Sequence, residues 1–513
     1  MSDTSDYEKE TPIDHSSSHR QSSLELPDDV WQEFASQAQL FVTDYLKSIP
    51  NLPVFPQTKV DELGDCLSGQ LPRQGTSVGD IMNECRAIRD ASRHSGHPRF
   101  FGYVASSASP VGVIGDFVAS ALNQNLTAWR SSPAATDVER TVVRWLGSLV
   151  GYSDDAAGLL TSGGSMANLT ALYIAHRAKS PDASIKGLWN TGRPMTVYAS
   201  DQVHMSIAKA ADVLGFGRDH VRLVESDDRF RLDLRDLRER VSSDIKNDFR
   251  PFVVVASAGT VSTGAVDPLA EIAAFAREHD LWFHIDGAYG APAAVVPSVR
   301  GLFKGMELAD SVSLDPHKWL YAPIDCGCLL LRDATRARLA FSHDEADYIK
   351  VYEKSDREAF AFWDYGIELT RRFRALKVWM ILRYFGAQHI SESIAEDISL
   401  AKYLGDRVEA SDDFELLAPV DLSICCFRYL PTRLREQFEN AIGGGKATIN
   451  LALDALNEKI MHKVQRGGLA YLSNAILRGR FALRACIVNF RTTRTDLDLT
   501  LDIVRDAASE LGE

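Results

Sequence analysis

From about residue 110 to residue 335, short apolar runs alternate with helix-like stretches, and this alternation limits the available folds more than any other feature of the chain. The runs are Gly158–Leu160, Met195–Ala199, Val221–Val224, Phe252–Ala256, Leu281–Ile285, Ser311–Leu314 and Cys328–Leu331. Between them lie stretches such as Ala167–Lys179, Ser206–Leu214 and Pro268–His279. Strand–helix alternation of this kind predicts an α/β domain whose mostly parallel sheet is covered on both faces. In that architecture ligands sit at the carboxyl ends of the strands.

Trp31, Phe34, Ala38, Phe41 and Tyr45 recur at helical spacing and predict a helix from Pro27 to about Ser48. Asp28 and Asp29 suit its positive N-terminal end. Such a helix packs either on a partner subunit or on its own domain. Beyond about residue 380 come long amphipathic helices and one strand-like stretch, Phe481–Phe490, the pattern of a smaller α+β domain. The expected division is a flexible tail over 1–26, an N-terminal helical segment over 27–109, a large domain over 110–380 and a small C-terminal domain over 381–513.

Several function classes are excluded. The formal charge of −14 repels a phosphate backbone, and no dense Lys/Arg stripe overrides it. The seven cysteines show neither CxxC spacing nor a zinc pattern with nearby histidines, so free thiols in a reducing compartment and no metal are expected. No apolar run approaches the roughly 20 residues of a membrane span, and the acidic first 26 residues lack a signal-peptide core, which points to the cytoplasm. Gly443-Gly444-Gly445-Lys446-Ala447 lacks the opening glycine and the Ser/Thr of a phosphate loop, and reads as a loop. GxGxxG and HExxH are absent, and no GxSxG follows a strand-like run as a nucleophile elbow would.

Four segments carry candidate chemistry. In Leu160-Thr161-Ser162-Gly163-Gly164-Ser165-Met166-Ala167-Asn168, a strand runs into glycines and a helix start, a turn that aims backbone N–H groups at one point and suits a phosphate. A plain strand–turn–helix cap looks the same. In Leu281-Trp282-Phe283-His284-Ile285-Asp286-Gly287, a carboxylate ends a buried strand. It needs a cationic partner such as a protonated pyridine nitrogen, unless it caps the next helix. Lys318, in Asp315-Pro316-His317-Lys318-Trp319, follows a strand in an aromatic setting that suits an amine bonding a carbonyl. A lysine with a packed stem is the other reading. His204 sits between a strand and a helix, over the sheet's carboxyl edge. Singly each has an ordinary structural reading; together they form a phosphate cradle, a ring-stacking imidazole, a pyridinium carboxylate and a cofactor-bonding lysine.

Asp315-Pro316-His317-Lys318-Trp319 and His284-Ile285-Asp286-Gly287-Ala288-Tyr289 resemble the group II pyridoxal-phosphate decarboxylases, which include aromatic-L-amino-acid, glutamate, histidine and diaminobutyrate decarboxylases. The resemblance spans roughly residues 30 to 495, with further landmarks at His97–Tyr103, Ser132–Thr136 and Arg371–Lys377. It implies a type I aminotransferase-like fold, a homodimer with active sites at the subunit interface, pyridoxal 5'-phosphate (PLP) as cofactor and an L-amino acid as substrate. By match, Lys318 holds the cofactor aldehyde, Asp286 the ring nitrogen, and His204 stacks on the ring. Gly164, Ser165 and His317 hold the phosphate; Ser257 and Ala288 touch the ring and its substituents.

The resemblance further implies decarboxylation to an amine and carbon dioxide, the reaction of a carboxy-lyase in amino acid metabolism. The bond held perpendicular to the ring is the one that breaks, so the site must hold the carboxylate in that orientation. A loop tyrosine returns the proton to Cα, and Tyr348 matches it by its spacing before Arg371. Aldehyde-forming relatives tend to carry phenylalanine there. The pocket segments read Tyr103-Val104-Ala105-Ser106 and Asn125-Leu126-Thr127-Ala128-Trp129, smaller than expected for aromatic substrates, with Arg130 a candidate for a side-chain carboxylate. An aromatic amino acid is the leading expectation, an aliphatic, acidic or diamino acid the alternative. Transamination or aldehyde formation is a rival on the same fold, and an inactive cofactor-binding interaction protein is a rival of another class. Lys318, Asp286 and His204 are all retained, which argues against the last.

Overall fold

The computed structural model describes residues 24–56, 63–64, 69–153, 155–188, 192–342, 358–441 and 444–512. The chain divides into two compact units, residues 1–48 with 58–91 and residues 49–57 with 92–513. In the first, the expected helix forms over Asp28–Ser48, and a second helix spans Val78–Asp90. Ser77 caps the second helix by accepting from the Asp80 backbone N–H at 3.1 Å. The Arg89 guanidinium lies 5.9 Å from the centroid of the Phe41 ring.

The second unit is built on a seven-stranded sheet. Its strands are β1 Ala157–Thr161, β2 Met195–Ser200, β3 Val221–Val224, β4 Arg250–Ser257, β5 Trp282–Asp286, β6 Ser311–Leu314 and β7 Gly327–Leu331, in the order β1-β7-β6-β5-β4-β2-β3. Each coincides with one of the seven apolar runs. The pairs β2–β3, β2–β4, β4–β5 and β5–β6 are parallel; β7 runs antiparallel to both neighbours. Parallel strands covered on both faces have no solvent side, so their apolar residues run on without alternating. Phe252–Ala256 of β4 are fully buried. Each such Val or Phe side chain contributes about 1.5–3 kcal/mol.

Register places the site. Ser257 of β4 pairs with Asp286 of β5, and Asp286 with Ser313 of β6, so three polar side chains line up across the carboxyl edge. The neighbouring helices follow the expected segments: Gly164–Lys179, Ser206–Val213 and Leu269–Glu278.

The C-terminal region holds a second, antiparallel sheet in the order β10-β11-β9-β8, from β8 Phe414–Leu416, β9 Ile424–Tyr429, β10 Ser473–Leu477 and β11 Arg480–Cys486. The single expected strand, Phe481–Phe490, is β11 shifted toward its N-terminus and ending at Cys486. β8 is only three residues long, and β10 alternates buried and exposed residues over five, too short for a clear period. The Gly443–Gly445 segment expected as a loop is partly helical: Gly445 opens the helix Gly445–Gly467, while Gly443 lies outside the described residues. The described cysteines are all free, and Cys326, Cys328, Cys425, Cys426 and Cys486 are buried.

Candidate active site

The ends of β1, β2, β4, β5 and β6 and a helix start converge on one cavity of about 460 Å³ at the carboxyl edge of the large sheet. β1 delivers the chain through Ser162 and Gly163 into the helix Gly164–Lys179, whose first N–H groups have no partner within the helix. Small residues are required here. A Cβ on Gly164 would lie 2.9 Å from both Ala288 Cβ and Asp315 Oδ2, and one on Gly327 would lie 2.5 Å from Gly163 Cα. The turn is thereby pressed against β7 and the Lys318 segment, leaving its backbone facing the cavity.

On the floor, Asp286 is buried and its carboxylate is fully oriented. Oδ2 accepts from Asn168 Nδ2 at 2.8 Å; Oδ1 accepts from the Ala288 N–H at 3.2 Å and from Ser313 Oγ at 3.3 Å. His204 follows β2, with Nδ1 2.9 Å from Ser206 Oγ. Burial lowers the His204 pKa, against a smaller opposing pull from Asp286, so the imidazole is neutral near pH 7.

Lys318 stands on the short helical turn Pro316–Trp319 that follows β6. Its Nζ lies 3.1 Å from Asp315 Oδ2. The turn is anchored from below: Trp319 stacks on Tyr289 with centroids 5.1 Å apart, and Trp319 Nε1 and the Tyr321 hydroxyl donate to Asp397 Oδ2 at 2.9 and 2.7 Å. His317 Nδ1 lies 2.6 Å from the Cys326 carbonyl, and burial lowers its pKa.

Gly164, Ser165, His204, Ser257, Asp286, Ala288, His317 and Lys318 all line this one cavity, as the sequence pattern required of a shared site. Tyr348 lies outside the described residues. Of the expected substrate-side segments, Val104 reaches the cavity and Ser106 Oγ donates to the His317 carbonyl at 3.0 Å. Asn125–Arg130 do not line it. Asn168, Ser206, Ser313 and Asp315 were not singled out from the sequence. Asn168 left one signal: a polar residue one turn into an otherwise apolar buried helix face, four positions after Gly164.

These residues fit a pyridine aldehyde carrying a phosphate. The helix start offers backbone donors to an anion, Asp286 a carboxylate to a protonated ring nitrogen, and Lys318 an amine to the aldehyde. Asp315 Oδ1 is buried without a hydrogen-bond partner, a mark of a site shaped for a ligand.

The profile of the pyridoxal-dependent decarboxylase conserved domain matches residues 62–430. An aromatic-L-amino-acid decarboxylase of Bacillus atrophaeus is 34% identical over 490 residues, spanning 95% of this chain and 98% of the relative. A 4-hydroxyphenylacetaldehyde synthase of Rhodiola rosea is 29% identical over 487 residues, 93% and 96% of the two chains. The crystal structure of Oryza sativa TDC with PLP and tryptamine superimposes with a TM-score of 0.85 at 29% identity, covering 95% of this chain and 99% of that one. The chain belongs to the pyridoxal-dependent decarboxylase family and is a PLP-dependent carboxy-lyase acting on an amino acid.

Proposed function

We propose that this protein decarboxylates an aromatic L-amino acid to the corresponding amine. The observation that carries the reading is the single cavity holding Lys318, Asp286 and His204 beside a helix start. The B. atrophaeus relative, named for aromatic substrates, supports the choice of amino acid. Gly164, Ser165 and His317 would hold the phosphate, Asp286 the ring nitrogen, Lys318 the aldehyde carbon, and Ser257 and Ala288 the ring substituents, with His204 available to the ring. Bound PLP supplies an aldehyde that captures amines and a protonated ring that accepts the electron pair left when the carboxylate departs.

The chain's own residues do the positioning. Asp286 is fixed by three donors and therefore presents its charge in one plane. His204, neutral and half enclosed, adds a flat apolar surface without a competing charge. Asp315 keeps the Lys318 amine inside the cavity. Tyr348 returns a proton to the substrate Cα. Two relatives named as aldehyde synthases favour a second reading, aldehyde formation, in which that proton is not returned and dioxygen takes up two electrons as hydrogen peroxide.

Homodimeric assembly belongs to the same proposal. The helix Pro110–Leu122 exposes Ile114, Phe117, Val118 and Leu122 at helical spacing, a stripe suited to a second copy of the chain. So do the four-part division of the chain, with the 27–109 segment packing against the partner, and placement in the cytoplasm. No described helix is long and apolar enough to cross a membrane. Carbon dioxide release measured over a panel of L-amino acids with added PLP tests the substrate. Release from aromatic amino acids supports the reading; release confined to acidic or diamino acids overturns it.

A further inference from the structure

A chain of buried hydrogen bonds runs beneath Asp286. Asp286 Oδ2 accepts from Asn168 Nδ2 at 2.8 Å, and Asn168 Oδ1 lies 3.0 Å from His284 Nε2. His284 Nδ1 lies 2.9 Å from Ser311 Oγ, which also accepts from Trp282 Nε1 at 2.9 Å. A branch leaves the same amide: Asn168 Nδ2 donates to Ser206 Oγ at 2.9 Å, and that hydroxyl lies 2.9 Å from His204 Nδ1. Asn168, Ser206, His284, Ser311 and Asp286 are all buried.

Chemistry sets the direction of every bond. An indole N–H only donates and a carboxylate only accepts. Asn168 must therefore turn its amino group to Asp286 and its carbonyl to His284, whose Nε2 carries the proton. Burial pushes the His284 pKa down to about 4, so the ring is neutral and Nδ1 accepts from the Ser311 hydroxyl. On the branch, the Ser206 oxygen receives the amide proton and sends its own to His204 Nδ1. The Ser206 backbone N–H, 3.3 Å from that nitrogen, can only donate and imposes the same state. His204 thus carries its proton on Nε2.

We propose that Asn168 is a positioning residue that couples Asp286 and His204: one amide sets the plane of the carboxylate and the tautomer of the imidazole together. The proposal rests on the reading that these two residues address the cofactor ring. It explains why a polar side chain occupies a helix position otherwise surrounded by Ala167, Ala171 and Leu172, all fully buried. Neither Asn168 nor His284 needs to touch substrate for this role.

Asn168→Asp keeps the shape and removes both donors, setting two acceptor-only carboxylates against each other. In the full chain before PLP is added, NMR of labelled imidazole nitrogens should show both His204 and His284 neutral with the proton on Nε2. In Asn168→Asp, the His284 ring should become protonated near pH 7 and the His204 Nδ1 resonance should move. PLP affinity, read by titration, should fall about tenfold, the lower end of what outer partners of metal ligands contribute. A His284 proton on Nδ1 in the wild type overturns the proposal. So does unchanged PLP affinity in Asn168→Asp when Asp286→Ala weakens it. Unchanged affinity in both variants overturns the site reading itself, and the proposal with it. If Asn168→Asp does not fold, Asn168→Ala removes the same donors without added charge and decides the affinity comparison in the same way.

Discussion

Replacing Arg371 by methionine isolates a buried charge immediately behind the cradle. Arg371 and Glu139 are 1% and 0% exposed, with Arg371 Nη2 2.5 Å from Glu139 Oε1. The guanidinium also donates to the Leu126 and Leu160 carbonyls at 3.0 and 2.8 Å and lies 4.1 Å from the Phe362 ring centroid. Methionine keeps the packed stem but leaves Glu139 with one donor, the Leu160 N–H at 2.9 Å. Removing one partner of a buried pair costs about 3–5 kcal/mol, because the remaining charge is neither solvated nor paired. Glu139→Gln in the same chain removes that charge, so the double variant should recover about 1–3 kcal/mol of the summed single losses. Urea unfolding of the wild type, both singles and the double variant provides the comparison. Because Leu160 leads directly into Thr161 and the cradle, PLP affinity should fall alongside stability in Arg371→Met. A loss below about 1 kcal/mol in Arg371→Met, or strict additivity in the double variant, would refute the reasoning.

Other expectations follow from the same structure. Burial lowers the pKa of His176 and His284 from 6.5 to about 4. The unfolded chain therefore binds more protons than the folded one as pH drops from 6.5 toward 4, and stability must fall across that window. His176 packs edge-on against Phe216 and Phe252, so His176→Phe should flatten the pH dependence of the urea midpoint; an unchanged slope between pH 7 and 5 would contradict this. Tyr348→Phe should shift product from amine toward aldehyde, ammonia and hydrogen peroxide, with carbon dioxide released in both cases and dioxygen consumed as the two-electron oxidant in the second; an unchanged ratio removes Tyr348 from the proton return. Phe117→Asp on the exposed stripe of Pro110–Leu122 should reduce the sedimenting mass toward that of one chain, whereas an unaltered mass places any dimer contact elsewhere.

The large sheet was legible because buried parallel strands write continuous apolar runs, and Ser311–Leu314 was read residue for residue. The positions of Lys318, Asp286 and His204 were legible for a related reason: Asp286 ends a strand and the other two stand just past one, where polar groups serve ligands. The C-terminal sheet was mostly hidden, since Phe414–Leu416, Ile424–Tyr429 and Ser473–Leu477 are each too short to write a clear period. Asn168 and Asp315 lie inside the Leu160–Asn168 and Asp315–Trp319 motifs without a role that spacing reveals. Their meaning depends on distances to Asp286 and Lys318 that sequence spacing does not encode. Asn125–Arg130 do not line the cavity of their own chain; Trp129 Nε1 donates to Asp137 at 3.1 Å, and the Leu126 N–H to the Arg371 carbonyl at 3.0 Å.

The account turns on one covalent attachment. Incubating the full chain with PLP, reducing with borohydride and mapping the digested peptides by mass spectrometry should place the cofactor on Lys318, with no such peptide from Lys318→Ala. Attachment to a different lysine, or none in the wild type after reconstitution, would contradict it.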